Sequence, residues 1–491
     1  MLMMIPLSPH DFVLAFDIGS SSLRATICYA DGSEAGFTPE QRKHTLTHSP
    51  DGGAEVDPHE VLATFREVLA TILARAQAAG VTLRAVCGAT LVGSLLGADK
   101  TGYPLTPIYT YADRRGAHFA ARISDPAAYT ERTGCYPHPS YAPIRLWWLA
   151  EGENVAQIPR WFGLGDYLLH ALTGVRRISL SAASWSGLLN RRTNSWDAAT
   201  FADLPVTAAG FSEVSDAPVI GVRPEWEVVL GEAGRLLEGI PIFPFVADGV
   251  ASSVGSGCTT ADRLAVALGT SGALRLMLPG CPPAPSGLFA YAVDRTRSLI
   301  GGALNDVGSL YAWLDRLIGG IDADVLAAAE GMPPDAHGLT ILPFLTGERA
   351  PGWHSDAPAV FMGMTPETTF AHLLRAALEA VALRYAAILD RMRPFLAKKN
   401  LVGVVSGAPS GSALWVNILT DALNLPLQRG EREATLRGAV CLATRLQSLL
   451  SNEKQGLPLI HPAAEKHALY RAAAERQHRL YERFSDVHAT A

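Results

Sequence analysis

The sequence predicts an α/β protein whose two similar domains flank a shared cleft, and three observations predict it. Segments of strand character alternate with segments of helical periodicity along the whole chain, which is the pattern of α/β folds. At 491 residues the chain is too long for one hydrophobic core, so two large domains are expected. Two strand–turn–strand units about half a chain apart resemble each other. Gly19-Ser20-Ser21-Ser22-Leu23-Arg24 matches Gly269-Thr270-Ser271-Gly272-Ala273-Leu274-Arg275 apart from one extra residue. The match reads as an ancient duplication, with chance similarity of short Gly/Ser runs as the alternative. A boundary near Gly255 divides the chain into residues 11–254 and 255–485.

In the first half, Phe12 to Phe16 reads as a strand ending at Asp17, followed by a Gly/Ser turn and a second strand, Leu23 to Tyr29. An acid at a strand end before such a turn suits a hydrated Mg²⁺, while the turn suits phosphate; a turn-capping Asp is the alternative. Asp57-Pro58 is a helix start, with Asp as N-cap and Pro in the first helical position, and the helix runs to about Ala79. Leu83 to Thr90 reads as a buried strand. Tyr111-Ala112-Asp113-Arg114-Arg115 then sets an aromatic, an acid and two guanidiniums after an apolar strand, a set that suits a polyol or a surface ion pair. Trp161 to Thr173 reads as an amphipathic helix, Ser179 to Ser186 as a small polar stretch, and Val228-Val229-Leu230 and Ile240 to Phe245 as strand-like.

The densest stretch runs from Pro244 to Arg275. It offers one carboxylate, Asp248, among small residues, then a strand, Leu264 to Leu268, the turn Gly269-Thr270-Ser271-Gly272, and a strand, Ala273 to Leu278. A base beside a phosphate cradle suggests phosphoryl transfer to a hydroxyl; a helix-capping Asp in an ordinary loop is the alternative. Beyond it, Ser298 to Ala303 and Thr340 to Phe344 read as strands, and Gly308 to Leu317 and Phe370 to Met392 as helices. Val402 to Val405 is a strand entering Ser406-Gly407-Ala408, a small-residue turn where a nucleotide can approach the backbone, before a helix over Ala413 to Leu423. Arg437-Gly438-Ala439 opens a further helix.

Composition excludes other classes. Hydrophobic residues make up 48% and charged residues 18%, as in a well-buried enzyme. A net charge of −6 without any Lys/Arg-dense block argues against a nucleic-acid partner. Six cysteines without CxxC spacing read as reduced thiols in a cytoplasmic protein. The apolar start MLMMIPLSPHDF lacks Lys and Arg and breaks at Pro6 and Pro9, so no secretory signal is expected. The longest nearly apolar run, Ala85 to Ala98, is too short to span a membrane. P-loop, dinucleotide and zinc motifs are absent.

Taken in order, these residues resemble the FGGY family of carbohydrate kinases over nearly the whole chain. Asp17 to Arg24 resembles the first phosphate motif, Glu55-Val56-Asp57-Pro58 the family's helix start, and Tyr111 to Arg115 its Trp-x-Asp-x-Arg. Asp248-Gly249 resembles the catalytic aspartate motif, and Leu268 to Gly272 the second phosphate motif. Gly347-Glu348-Arg349-Ala350-Pro351 through Thr365 resembles the C-terminal signature, and Ser406 to Ser412 with Leu414-Trp415 and Asp421 the adenosine motif. The resemblance implies two RNase H-like domains of the hexokinase/actin-like architecture, with ATP and sugar in the cleft. It implies Asp248 as general base, Asp17 as the Mg²⁺ residue, and Ser20, Ser21, Arg24, Gly269 and Thr270 as the phosphate cradle. Gly407 and Ala408 would line the adenosine pocket, and Tyr111, Asp113, Arg115, Asp248 and Gly249 would bind the sugar. A homodimer is a family-level expectation.

Gly249, the GTSGALR stretch and Gly301 to Asn305 look most like gluconate kinases. Xylulokinases, the alternative, usually carry His where Gly93 stands and Asn where Gly249 stands. Tyr111 replaces the family's Trp, and Ala408 the second Gly of the adenosine motif. A carboxylate substrate would want a cation, for which Arg114, Arg115 and Arg145 are candidates. A catalytically silent sugar or nucleotide sensor and an actin-like ATPase are the readings from other classes; sugar binding without transfer marks the first, sugar-independent ATP hydrolysis the second.

Overall fold

The computed structural model describes residues 7–152, 154–397, 400–430, 433–445 and 458–489. The apolar start, Met1 to Pro6, lies outside them. Strand β1 (Phe12–Ile18) forms a hairpin with β2 (Ser22–Tyr29), and β3 (Glu40–Lys43) continues antiparallel on β2. Helix α1 (Pro58–Ala78) starts as expected: the Asp57 carboxylate accepts the His59 N–H at 2.8 Å, and Pro58 holds the first turn. Its buried face, Val61, Phe65, Val68, Leu69 and Ile72, covers the sheet. Strand β4 (Leu83–Thr90) lies parallel to β1, so β1 is central, which is why Val13 to Phe16 are buried on both faces.

Helix α2 (Leu164–Thr173) is shorter than the Trp161 to Thr173 helix read from the sequence. Arg160–Phe162 is a strand paired with Leu96–Ala98, and Gly163 is the helix boundary, its N–H donating to the Asp166 carboxylate at 2.8 Å. The Ser179 to Ser186 stretch contains a one-turn helix over Leu180–Ser184 capped by Ser179. Strand β5 (Val219–Ile220) follows. Val228-Val229-Leu230 is helical, within α3 (Glu225–Leu230), and not a strand. Trp226 and Leu230 anchor that short helix in the core and leave Val228 90% exposed, so tertiary anchoring overrides β-propensity there. Strands β6 (Pro241–Ile242) and β7 (Val246–Ala247) pair parallel with β4, and α4 (Asp248–Gly255) follows β7 directly.

The second sheet starts with the hairpin of β8 (Arg263–Leu268) and β9 (Gly272–Pro279). Strands β10 (Phe289–Asp294) and β11 (Arg297–Leu304) extend it, helix α5 (Gly308–Leu317) follows, and Thr340–Leu342 is a shorter strand than expected because Pro343 ends it. The long helix α6 (Phe370–Met392) covers this sheet. Strand β12 (Val402–Ser406), helix α7 (Ala413–Leu423), β13 (Leu427–Arg429), helix α8 (Ala434–Thr444) and β14 (Leu459–Ile460) complete it.

The two sheets repeat one topology. The order β3-β2-β1-β4-β6 corresponds to β11-β9-β8-β12-β13, with two antiparallel pairs followed by two parallel pairs in each. The two Gly/Ser turns named above occupy equivalent corners. Helices α4 and α8 cross between the halves. Val250 and Val254 of α4 pack on Met277 and Leu299 of the second sheet, while Leu436 and Val440 of α8 pack on Val13, Ala15 and Ala85 of the first. The crossing is backbone on backbone: a Cβ on Gly255 would lie 1.7 Å from the Ala434 carbonyl oxygen, and one on Gly438 1.8 Å from that of Ala251.

Candidate active site

The first hairpin of each repeated sheet closes in a Gly/Ser turn. At the first, Gly19 N–H donates to the Ser22 carbonyl at 2.9 Å, and Ser20 and Ser21 project from the corner. At the second, Gly269 N–H donates to the Ser271 carbonyl, also at 2.9 Å, and Thr270 is exposed. The N-terminus of α5 docks on this second turn, with Gly308 N–H bonded to Gly269 O at 2.9 Å and Ser309 N–H to Thr270 O at 3.1 Å. Gly407, with φ of 102°, lies flat against the end of β8; a Cβ there would meet the Leu268 carbonyl oxygen at 1.8 Å. Gly407 and Ala408 are exposed beside the Gly269-Thr270 turn. Bare backbone at this corner fits a nucleotide, since no side chain holds it off.

Asp17 stands at the end of β1. Its carboxylate accepts from Arg24 at 3.1 Å, and Arg24 also donates to Glu433 at 2.9 Å across the domain crossing. Arg24 thus ties Asp17 to α8's leading edge, a role beyond the phosphate contact expected of it. Burial raises the Asp17 pKa, with Arg24 opposing. A carboxylate in that place fits a divalent cation, whose charge would oppose the rise.

Asp248 opens α4, its carboxylate accepting the N–H of Gly249 at 2.7 Å. Burial pushes its pKa up to about 6, with Arg275 and the Gly249 amide pulling the other way and Asp17 adding to the rise. A carboxylate with a pKa near neutrality suits a general base.

The Tyr111 to Arg115 segment divides into two roles. Asp113 is 1% exposed and accepts from Ala54 N–H at 3.3 Å and from Arg115 Nε at 3.1 Å. Arg115 also bonds Glu55 and lies over the Trp148 ring, 4.4 Å from its centroid. That pair is a buried clasp behind the cleft. Tyr111 faces forward, under the guanidinium of Arg349 at 5.5 Å. Gly93, with φ of 69°, makes room for it: a Cβ there would come within 3.1 Å of Tyr111 Cβ and of the Ser140 carbonyl oxygen.

The cations expected for a carboxylate substrate are engaged elsewhere. Arg115 serves the clasp, and Arg145 donates to the carbonyls of Gly93, Thr110 and Pro139 at 2.8–3.1 Å. Arg114 is exposed against Gly52. Two residues that sequence reasoning gave no role, Arg275 and Arg349, act on the charge of Asp248 instead, and a third, His138, lies near Arg349. Arg275 points from β9 towards α4: a Cβ on Gly249 would lie 3.1 Å from its Nε and Nη2. Arg349 donates to the Leu304 carbonyl at 3.1 Å. His138 is buried edge-on to Trp353, with ring centroids 5.5 Å apart. His138 Nδ1 lies 2.9 Å from Ser140 Oγ, whose own proton goes to the Tyr111 carbonyl at 2.9 Å. Burial, Arg349 and Arg145 hold the imidazole neutral, with its pKa lowered to about 3. The signal for Arg275 was a guanidinium inside the apolar strand run Gly272–Pro279.

A repeated α/β fold with an acid at a strand end in one corner, an acid at a helix start between the halves, and two bare turns defines an ATP-dependent phosphotransferase. Family comparisons narrow the class. The model described as "FGGY family of carbohydrate kinases, N-terminal domain" matches residues 12–255, and its C-terminal counterpart matches residues 264–446. The chain belongs to the FGGY family of carbohydrate kinases, which draw the phosphoryl group from ATP with Mg²⁺. It is 29% identical to a gluconokinase of Bacillus licheniformis over 396 residues, 75% of this chain and 74% of that one. It is 31% identical to a glycerol kinase of Alkalilimnicola ehrlichii over 468 residues, 89% and 90% of the two. The solved ligand-bound xylulose kinase from Lactobacillus acidophilus superposes with a TM-score of 0.86 at 22% identity, covering 97% of this chain and 98% of that one. The two-domain fold is therefore that of the family, while the relatives' substrates differ. Among the described residues no helix is long and apolar enough to cross a membrane.

Proposed function

We propose that the protein is an ATP-dependent gluconate kinase, with Asp248 taking the proton of the attacking hydroxyl. The observation that carries the choice of substrate is the pair Gly93 and Gly249. Each lacks a side chain, and each space is taken by a neighbour, Tyr111 at one and Arg275 at the other. Similarity to a gluconokinase supports the same reading. Bound Mg²⁺–ATP supplies the transferable phosphoryl group and part of the charge that neutralises it. Asp17 holds the cation. Ser20, Ser21, Gly269 and Thr270 orient the phosphates, with Arg24 steadying Asp17, and Gly407 and Ala408 give the adenosine a flat wall. Tyr111 contributes an aromatic face to the sugar, and the Asp113–Arg115 clasp positions it. Closure of the two halves excludes water, so that sugar receives the phosphoryl group. The free thiols fit a cytoplasmic setting.

The test is coupled ADP release with Mg²⁺–ATP across gluconate, xylulose, ribulose, glycerol, fuculose and rhamnulose. Turnover of gluconate above the rest is the expected result. Preference for xylulose or glycerol would keep the phosphotransferase and dismiss the sugar acid.

A further inference from the structure

Two guanidiniums act on the charge of Asp248. Arg275 and Arg349 both face the base, yet among the described residues neither closes an ion pair with it. The Nε atoms of both guanidiniums are buried and have no hydrogen-bond partner. His138 Nε2 is also buried without a partner, its side chain being 4% exposed. Arg349 lies close enough to His138 and to Arg275 to act on the charge of each. Buried donors on two neighbouring guanidiniums are costly unless an acceptor arrives to meet them.

We infer that Arg275 and Arg349 form the subsite that reads the carboxylate of the substrate, and that Gly249 is side-chain-free in order to admit Arg275. The inference rests on the sugar-acid reading above and names the residues that enforce it. A planar guanidinium matches a carboxylate with two parallel hydrogen bonds, which a hydroxymethyl group cannot accept. An Asn at position 249 would fill the space the guanidinium uses, so a kinase of neutral sugars and a kinase of acids would differ at both positions together.

The experiment compares gluconate with D-glucitol, which keeps the chain of hydroxyls and replaces the carboxylate by CH₂OH. Binding of each to the full chain and to Arg275→Met is measured by titration calorimetry, and kcat by the coupled assay. The Kd for gluconate should rise about a hundredfold in Arg275→Met, while that for glucitol moves within about threefold. Gly249→Asn, which crowds the guanidinium without removing it, should show the same selectivity, and it decides the matter where Arg275→Met does not fold. Equal weakening of both ligands would overturn the subsite. An unchanged Kd with a lower kcat would place Arg275 on the transferring phosphoryl group and overturn it as well. Failure of the unsubstituted protein to bind or turn over gluconate would instead overturn the functional reading, and the subsite with it.

Discussion

As the proposed general base, Asp248 carries opposite obligations to folding and to catalysis. Its pKa is raised by burial to about 6, so the folded protein holds its proton more tightly than the unfolded chain does. The cost to stability is absent below the ordinary carboxylate pKa, grows as pH rises, and is complete above about 6. Activity runs the other way, because a general base must be ionised. We expect kcat/KM to fall with unit slope as pH drops below about 6, read from a pH–rate profile with gluconate. Asp248→Asn should abolish phosphorylation and raise the melting temperature at pH 8 more than at pH 5, by scanning fluorimetry. Asp113 offers the converse case. Its carboxylate is enclosed by Arg115 and the Ala54 amide, so Asp113→Ala strands a half-buried guanidinium. A loss of about 3 kcal/mol in urea unfolding is expected.

At the scale of elements, much of this fold was legible. Helices α1, α5, α6 and α7 begin where their caps or flanking turns say they should, because Asp57, Thr369 and Ser412 each satisfy first-turn amides. The strand Leu83–Thr90 was legible because a doubly covered parallel strand is a continuous apolar run. The segments that misled are those whose state depends on distant partners. Val228 and Val229 became helical because Trp226 found a slot beneath α1, and Trp161 became strand because Leu96–Ala98 lay ready to pair with it. In the site, motif order gave the acids and the bare turns, whereas Arg115 and Arg275 look alike in sequence and only packing tells a clasp from a free donor. Helix α6 tests another such cluster. Glu379 accepts from Arg375 at 2.5 Å and from the Tyr470 hydroxyl at 3.1 Å, and lies 3.0 Å from His337 Nε2, all buried. Glu379→Ala should destabilise the second domain by roughly 3–5 kcal/mol in denaturant unfolding, leaving Arg375 unmatched.

The whole molecule turns on the crossing of α4 and α8. Domain closure has to pass through two helices whose backbones touch at Gly255 and Gly438, and the first residue of α4 is Asp248 itself. Gly438→Ala should force the helices apart, costing about 1–3 kcal/mol and lowering kcat more than it weakens ATP binding; unfolding curves and single-turnover kinetics would show both. The same crossing has a consequence for how the protein can be rebuilt. Because α4 is encoded with the first sheet yet rests on the second, and α8 the reverse, the two halves are laced like fingers of folded hands. A chimera spliced at the midpoint from two relatives with different substrates would inherit mismatched lacing, whereas grafting both helices from one parent would let a foreign sugar pocket ride on a native pivot.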